Sequence, residues 1–356
     1  MKRRHFLTTA SAAGLAAAAA GTPAATAEHH WKMVTSWPKG FPGPGTGAER
    51  LARRIEAASG GRLTVRVYGA GELVPALQVF DAVAAGQAEM GHSASFFWRG
   101  KIPASVFFTT VPFGLTPGEH VAWIVHGGGQ ALWDTLYAPF RVKPFMAGNS
   151  GMQMGGWFKR EIHGLDDLKG LKYRIPGLGG AMLERLGVQP IVIPPPEIFT
   201  ALQTGAVDGA EFLGPWSDLA AGFYRVAPYY YWPGFHEPNG TAEALVSQAA
   251  LDALPADLRA VVEQACAAEN GEALAETEWR NAEALQTLVT RHGVKLRQFP
   301  APVLAAAREA AAEVLAALGE SDAGAREVLA SYRQALERAR AWAAVSTGAF
   351  LGARGG

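Results

Sequence analysis

Hydrophobic and polar positions alternate in two periods along this chain, and the switches between them predict its elements. From Trp31 to Trp37 the alternation has the strand period and runs into a Pro/Gly loop, Pro38 to Gly47. Ala48, Leu51, Ala52, Ile55 and Ala58 then recur at helical spacing until Ser59-Gly60-Gly61 stops them. Leu63, Val65 and Val67 alternate with Thr64, Arg66 and Tyr68 as a second strand. Pro75 opens a second helix with Leu77, Phe80, Val83 and Ala84 on one face, and Met90–Ser95 reads as a third strand. This β-α-β-α-β order predicts a mainly parallel sheet with helices on its faces.

A second α/β section is expected from near Phe145. Its strands are predicted at 152–158, 172–175, 190–193 and 206–212, with a helix over 197–204 behind Pro194-Pro195-Pro196. From Leu251 the pattern becomes Ala- and Glu-rich and helical, over roughly 253–290, 302–319 and 323–346. The fold class is therefore α/β, with two lobes and a helical C-terminal region. A cleft between such lobes is the expected ligand site, because open parallel sheets bind beyond their strand C-termini.

Composition narrows the function. The chain has 356 residues, 49% hydrophobic and 18% charged, with 32 basic and 32 acidic side chains, so no basic surplus points to nucleic acid. The single cysteine, Cys266, excludes an internal disulfide framework and a CxxC pair. Arg3-Arg4-His5-Phe6-Leu7, an Ala-rich run to Ala20 and Ala25-Thr26-Ala27 read as a twin-arginine export signal with its cleavage site over residues 1–27. Removing it takes away Lys2, Arg3 and Arg4 and leaves 29 basic against 32 acidic side chains, a net charge of about −3. The expected destination is the periplasm.

Several signals point elsewhere and fail. Gly91-His92-Ser93-Ala94-Ser95 falls one residue short of a serine-hydrolase elbow, and the oxyanion-like His126-Gly127-Gly128-Gly129 follows it where that fold requires it to precede. His29-His30 read as a frayed, solvated end, with no further histidine or cysteine at ligand spacing. Gly177-Leu178-Gly179-Gly180 reads as a tight turn, and Tyr229-Tyr230-Tyr231-Trp232-Pro233 as a buried strand edge or lobe junction. The first βα loop lacks both dinucleotide and triphosphate fingerprints.

Three segments carry the remaining signal: Met152-Gln153-Met154-Gly155-Gly156-Trp157-Phe158, Lys169-Gly170-Leu171-Lys172-Tyr173-Arg174-Ile175-Pro176 and Val207-Asp208-Gly209-Ala210-Glu211-Phe212-Leu213-Gly214-Pro215. With Gly234-Phe235-His236-Glu237 further on, the chain resembles the solute-binding subunits of TRAP transporters (the DctP-type family), and within them the branch that binds 2-oxo acids or lactate with a metal ion. The resemblance runs from Trp31 through the C-terminal helices. It implies a two-lobed periplasmic binding protein fold: lobe 1 over 28–148 completed by about 240–255, lobe 2 over 149–239 completed by later helices, and a region over 256–356 that bridges the lobes and mediates dimerisation. It implies that Arg174 clamps the substrate carboxylate, in a cleft shared by Gln153, Asn149, Phe96, Phe97 and Trp216. Gln153, Glu211, the Phe212 carbonyl and Glu237 would hold the ion. Such oxygen ligands suit sodium or calcium and disfavour zinc or copper.

A guanidinium suits that role because its planar fork matches a carboxylate bidentately. One departure stands out. Where the branch carries tyrosines after Met90-Gly91-His92, this chain has Phe96-Phe97-Trp98, which removes a hydroxyl donor and adds apolar wall, pointing to a larger or more apolar acid. The expected partners are a small organic acid, the TRAP membrane subunits and a second copy of the chain. Two rivals use the same residues: an exported metal-dependent enzyme acting on a carboxylic acid, and a ligand sensor of a signalling system. The first is disfavoured because no histidine is expected in place as a general base.

Overall fold

The computed structural model describes residues 28–355, so the export signal lies outside the described residues. The chain runs through β1 (His29–Thr35), α1 (Pro44–Ala58), β2 (Leu63–Tyr68), α2 (Val79–Ala84), β3 (Met90–Ser93), α3 (Pro117–His126), α4 (Gly129–Tyr137) and β4 (Val142–Asn149). It continues through β5 (Gly156–Phe158), β6 (Lys172–Arg174), α5 (Gly177–Glu184), β7 (Gln189–Ile191), α6 (Ile198–Thr204), β8 (Gly209–Ala210), α7 (Pro215–Ala221) and β9 (Tyr229–Trp232). The last third comprises β10 (Thr241–Ser247), α8 (Gln248–Asp252), α9 (Ala256–His292), β11 (Lys295–Gln298), α10 (Ala301–Ser321), α11 (Ala323–Val345) and α12 (Thr347–Arg354). No described helix is long and apolar enough to cross a membrane.

Two sheets make two lobes. The first has the order β2-β1-β3-β10-β4, with β1 parallel to both β2 and β3, and β10 antiparallel to β3 and β4. The chain therefore leaves this lobe after β4 and returns as β10 between β3 and β4. The second sheet has the order β11-β9-β5-β8-β6-β7. Apolar residues cover both faces of each: Trp157 and Tyr230 pack on one face of the second sheet while their neighbours Phe158 and Tyr231 pack on the other, as the strand period requires.

Three expectations need correction. The second section does not begin near Phe145, because residues 142–149 pair with β10 as an edge strand of the first sheet. The predicted strand 152–158 starts only at Gly156, whose φ of +102° ends an irregular approach, and 206–212 shrinks to Gly209–Ala210. His29 and His30 are not frayed: they open β1, with His30 Nδ1 2.8 Å from Thr64 Oγ1. The tyrosine run forms β9 inside the second sheet, between β11 and β5.

Two long helices cross between the lobes. At 37 residues α9 is about 55 Å long; Leu258, Val262 and Cys266 enter the first lobe's core, and Leu288 enters the second's. Helix α10 does the reverse, with Val303 and Ala307 in the second lobe's core and Val314 and Leu318 in the first's.

Candidate functional site

The strand ends of the second sheet bring the singled-out residues together. Because β6 and β8 are parallel, with Arg174 opposite Ala210, the last residue of one strand and the first residue after the other emerge at the same edge. Arg174 Nη1 donates to the Glu211 carbonyl at 2.8 Å and to Glu211 Oε1 at 2.5 Å, and Nε donates to the Ile193 carbonyl at 3.2 Å. Both side chains are buried, at 2% and 1% exposure. Nη2 makes no hydrogen bond to the described residues. The bidentate fork expected of Arg174 is therefore largely engaged within the protein, and one terminal nitrogen remains for a ligand.

Glu237 follows β9 and joins the same cluster. Glu211, His236 and Glu237 each present a ligand atom within 4.8 Å of the others, and all three are buried. His236 Nε2 lies 3.3 Å from Glu211 Oε2. Burial and the neighbouring Glu211 charge drive the Glu237 carboxyl well above the usual range, against the opposing pull of Arg174 and Gln153. Gln153 Nε2 donates to Ser150 Oγ at 2.8 Å, while Gln153 Oε1 is buried without a hydrogen-bond partner among the described residues. An orphaned acceptor in a lining shared with the Glu237 carboxylate is the environment a cation would complete. The pairing of His236 with Glu211 is not one the sequence motifs disclosed, because the two lie 25 residues apart in the chain.

Arg174, Gln153 and Glu237 line a cleft of about 760 Å³, including its solvent-open mouth, with Glu211 behind Arg174. Phe96, Phe97, Trp37, Phe212 and Trp216 supply aromatic walls, and Arg174, Gln153, Glu237 and Asn149 supply polar ones. Asn149 is already engaged: its Nδ2 donates to Asn239 Oδ1 at 2.8 Å and its Oδ1 accepts from the Gly151 amide at 2.8 Å, so it braces the wall. Trp216 is fixed by its amide, which donates to Asn281 Oδ1 of α9 at 2.9 Å. His92 also lines the cleft, unanticipated as a cleft residue. Trp37 Nε1 donates to its Nδ1 at 2.9 Å, its Nε2 is 2.9 Å from the Ala147 carbonyl, and burial lowers its pKa to about 4, so it is neutral near pH 7. Ser93 hydrogen-bonds Ser36 at 2.6 Å.

Comparison with known proteins follows the same lines. Residues 33–322 match the profile of the DctP family, described as bacterial extracellular solute-binding protein, family 7. A monocarboxylate 2-oxoacid-binding periplasmic protein of Nostoc sp. is 40% identical over 350 residues, 96% of each chain. A crystal structure of a TRAP periplasmic solute binding protein from Pseudoalteromonas atlantica, with bound sodium and pyruvate, superimposes with a TM-score of 0.89 at 40% identity, covering 91% of this chain and 98% of that one. A TRAP transporter solute binding protein from Bordetella bronchiseptica, a mixed-occupancy dimer with calcium and picolinate in one site, gives a TM-score of 0.89 at 37% identity, covering 91% and 96%. With a profile spanning most of the described chain and a full-length relative at this identity, the chain belongs to the DctP family of TRAP solute-binding proteins.

Proposed function

We propose that this protein captures a 2-oxo or 2-hydroxy monocarboxylate together with sodium or calcium in the interlobe cleft, and delivers it in the periplasm to a TRAP membrane permease. The observation that carries the reading is the buried Gln153 Oε1, unpartnered among the described residues, in the cleft lining that also holds Glu237 and Arg174. Gln153, Glu211, the Phe212 carbonyl and Glu237 hold the ion, which neutralises the surplus of carboxylates and supplies a Lewis-acidic contact for the acid's oxygens. Nη2 of Arg174 takes the substrate carboxylate, and Phe96, Phe97 and Trp216 enclose the acid's apolar end. The pyruvate bound by the Pseudoalteromonas relative and the picolinate bound by the Bordetella relative support this pairing of carboxylate and cation.

Catalysis is not part of the proposal. His236 Nε2 is directed at Glu211 Oε2, 3.3 Å away, which supports a role in holding that carboxylate. Export follows the twin-arginine signal. The exposed apolar residues at the C-terminus, Trp342, Val345, Phe350 and Leu351, would be covered in a homodimer, as the dimeric Bordetella relative supports.

The test is thermal-shift screening of the mature protein against short 2-oxo and 2-hydroxy acids, in calcium, in sodium and in neither. An acid at about 100-fold its Kd should stabilise the fold by about 2.7 kcal/mol, with the shift dependent on cation and the acid recovered unchanged. No shift with any carboxylate would sink the reading, and consumption of the acid would restore the enzyme rival.

A further inference from the structure

Apolar residues of each lobe reach into the core of the other, and one pair of them, Leu178 and Phe41, is reciprocal across the cleft. Leu178, on α5 of the second lobe, is 1% exposed and lies in the first lobe's core cluster with Phe96 and Trp98. Phe41, in the loop before α1 of the first lobe, packs on the second lobe's core with its ring centroid 5.7 Å from that of Phe212. A hydrogen bond crosses the gap beside each. Arg99 Nη1 donates to the Gly177 carbonyl at 3.1 Å, and Ser217 Oγ donates to the Pro42 carbonyl at 3.0 Å. The first contact is tight: Gly177 has φ +64°, and a Cβ placed there would lie 3.3 Å from Phe96 Cβ.

We propose that Phe41 and Leu178 are reciprocal keys that hold the lobes closed, and that with Arg99 they are positioning residues setting how long a ligand stays in the cleft. An apolar residue seated in the opposite lobe's core is returned to water when the cleft opens, so each key favours the closed form whether or not ligand is bound. The keys are mounted on the site itself. Gly177 and Leu178 follow Arg174 by three and four residues, and Phe41 rests on Phe212, which follows Glu211. Release must break both contacts, so losing a key speeds the off-rate; because the keys also close the empty cleft, losing one enlarges the open fraction that captures ligand. The part concerning ligand residence rests on the cleft being the binding site proposed above; the closure itself does not.

The experiment uses the mature chain with spin labels at Gln87→Cys and Gln203→Cys, exposed positions on the first and second lobes. The single native cysteine, Cys266, is buried, so labelling is confined to the introduced thiols. Interlobe distances are measured by pulsed electron resonance with and without pyruvate plus calcium, and pyruvate release by stopped flow. Phe41→Ala and Leu178→Ala should each shift the distances to longer values in both conditions and speed release about tenfold, which corresponds to about 1.4 kcal/mol. The double variant should add, while Phe41→Leu and Leu178→Met stay close to the parent. Folded variants with unchanged distances and release would overturn the keys. If the parent binds no pyruvate yet the variants still lengthen the distances, the keys stand and the carboxylate reading falls. Should Leu178→Ala fail to fold, Arg99→Gln and Gly177→Ala probe the same contact, and unchanged distances in both would overturn it.

Discussion

Arg174 shows what a single side chain must do here. Its Nη1 bridges two oxygens of Glu211 and its Nε holds Ile193, so the guanidinium keeps a buried carboxylate in place while turning one nitrogen to the cleft. A lysine could neutralise Glu211 but could not span those acceptors. Arg174→Lys should therefore fold and lose roughly 10- to 100-fold in ligand affinity by calorimetry, the scale of one charge-assisted hydrogen bond. Glu243 poses a different problem. It sits on β10, buried, accepting from Trp98 Nε1 and from the Tyr137 hydroxyl at 3.0 Å, and burial pushes its carboxyl from the ordinary 4.5 up to about 8. Folded, it keeps its proton to about pH 8; unfolded, it loses it near 4.5. The stability tied to that proton is complete below about 4.5 and is lost as pH rises toward 8. Glu243→Gln should thus melt close to the parent at pH 5 and above it at pH 8.5. At this scale Arg174, Gln153 and Glu211 could be picked out in the sequence because they sit in contiguous motifs. The pairing of His236 with Glu211, and the use of Asn149's amide within its own loop, arise from contacts that only folding creates.

Among the elements, helices were easier to read than strands. The periodic stretches expected at 302–319 and 323–346 lie within two residues of α10 and α11 at each end, because a helix's period repeats over many turns. The second lobe's strands are two to four residues long, too short for alternation to mark their ends, and their boundaries decide the site: Phe212 can face the cleft, with Glu211 against Arg174, because β8 stops at Ala210. Position also comes from the neighbouring helix. Asn281 of α9 accepts the Trp216 amide and packs against Gly214, where a Cβ would come within 2.7 Å of it. Asn281→Ala should leave overall stability within about 1 kcal/mol, the usual net worth of one hydrogen bond. It should also weaken ligand binding several-fold, read as a higher Kd with unchanged cation dependence, because the wall at Trp216 loses its anchor.

The whole molecule has a property that no lobe has alone. Its two lobes share α9, with the first lobe's core gripping one end and the second lobe's core the other. Opening the cleft therefore loads a continuous rod. That rod is tied down beyond the first lobe's core: Arg50 and Arg54 of α1 pair with Glu269, Glu272 and Glu276, on both sides of Gly271, an exposed glycine where an added Cβ would meet nothing within 4 Å. Glycine there costs about 1 kcal/mol relative to alanine. Gly271→Ala should raise the unfolding free energy by about that amount in denaturant titration. The same helix lines the cleft at Ala273, Glu276 and Thr277, so the rod that couples the lobes is also part of the cleft wall, and any bend in it reshapes that wall.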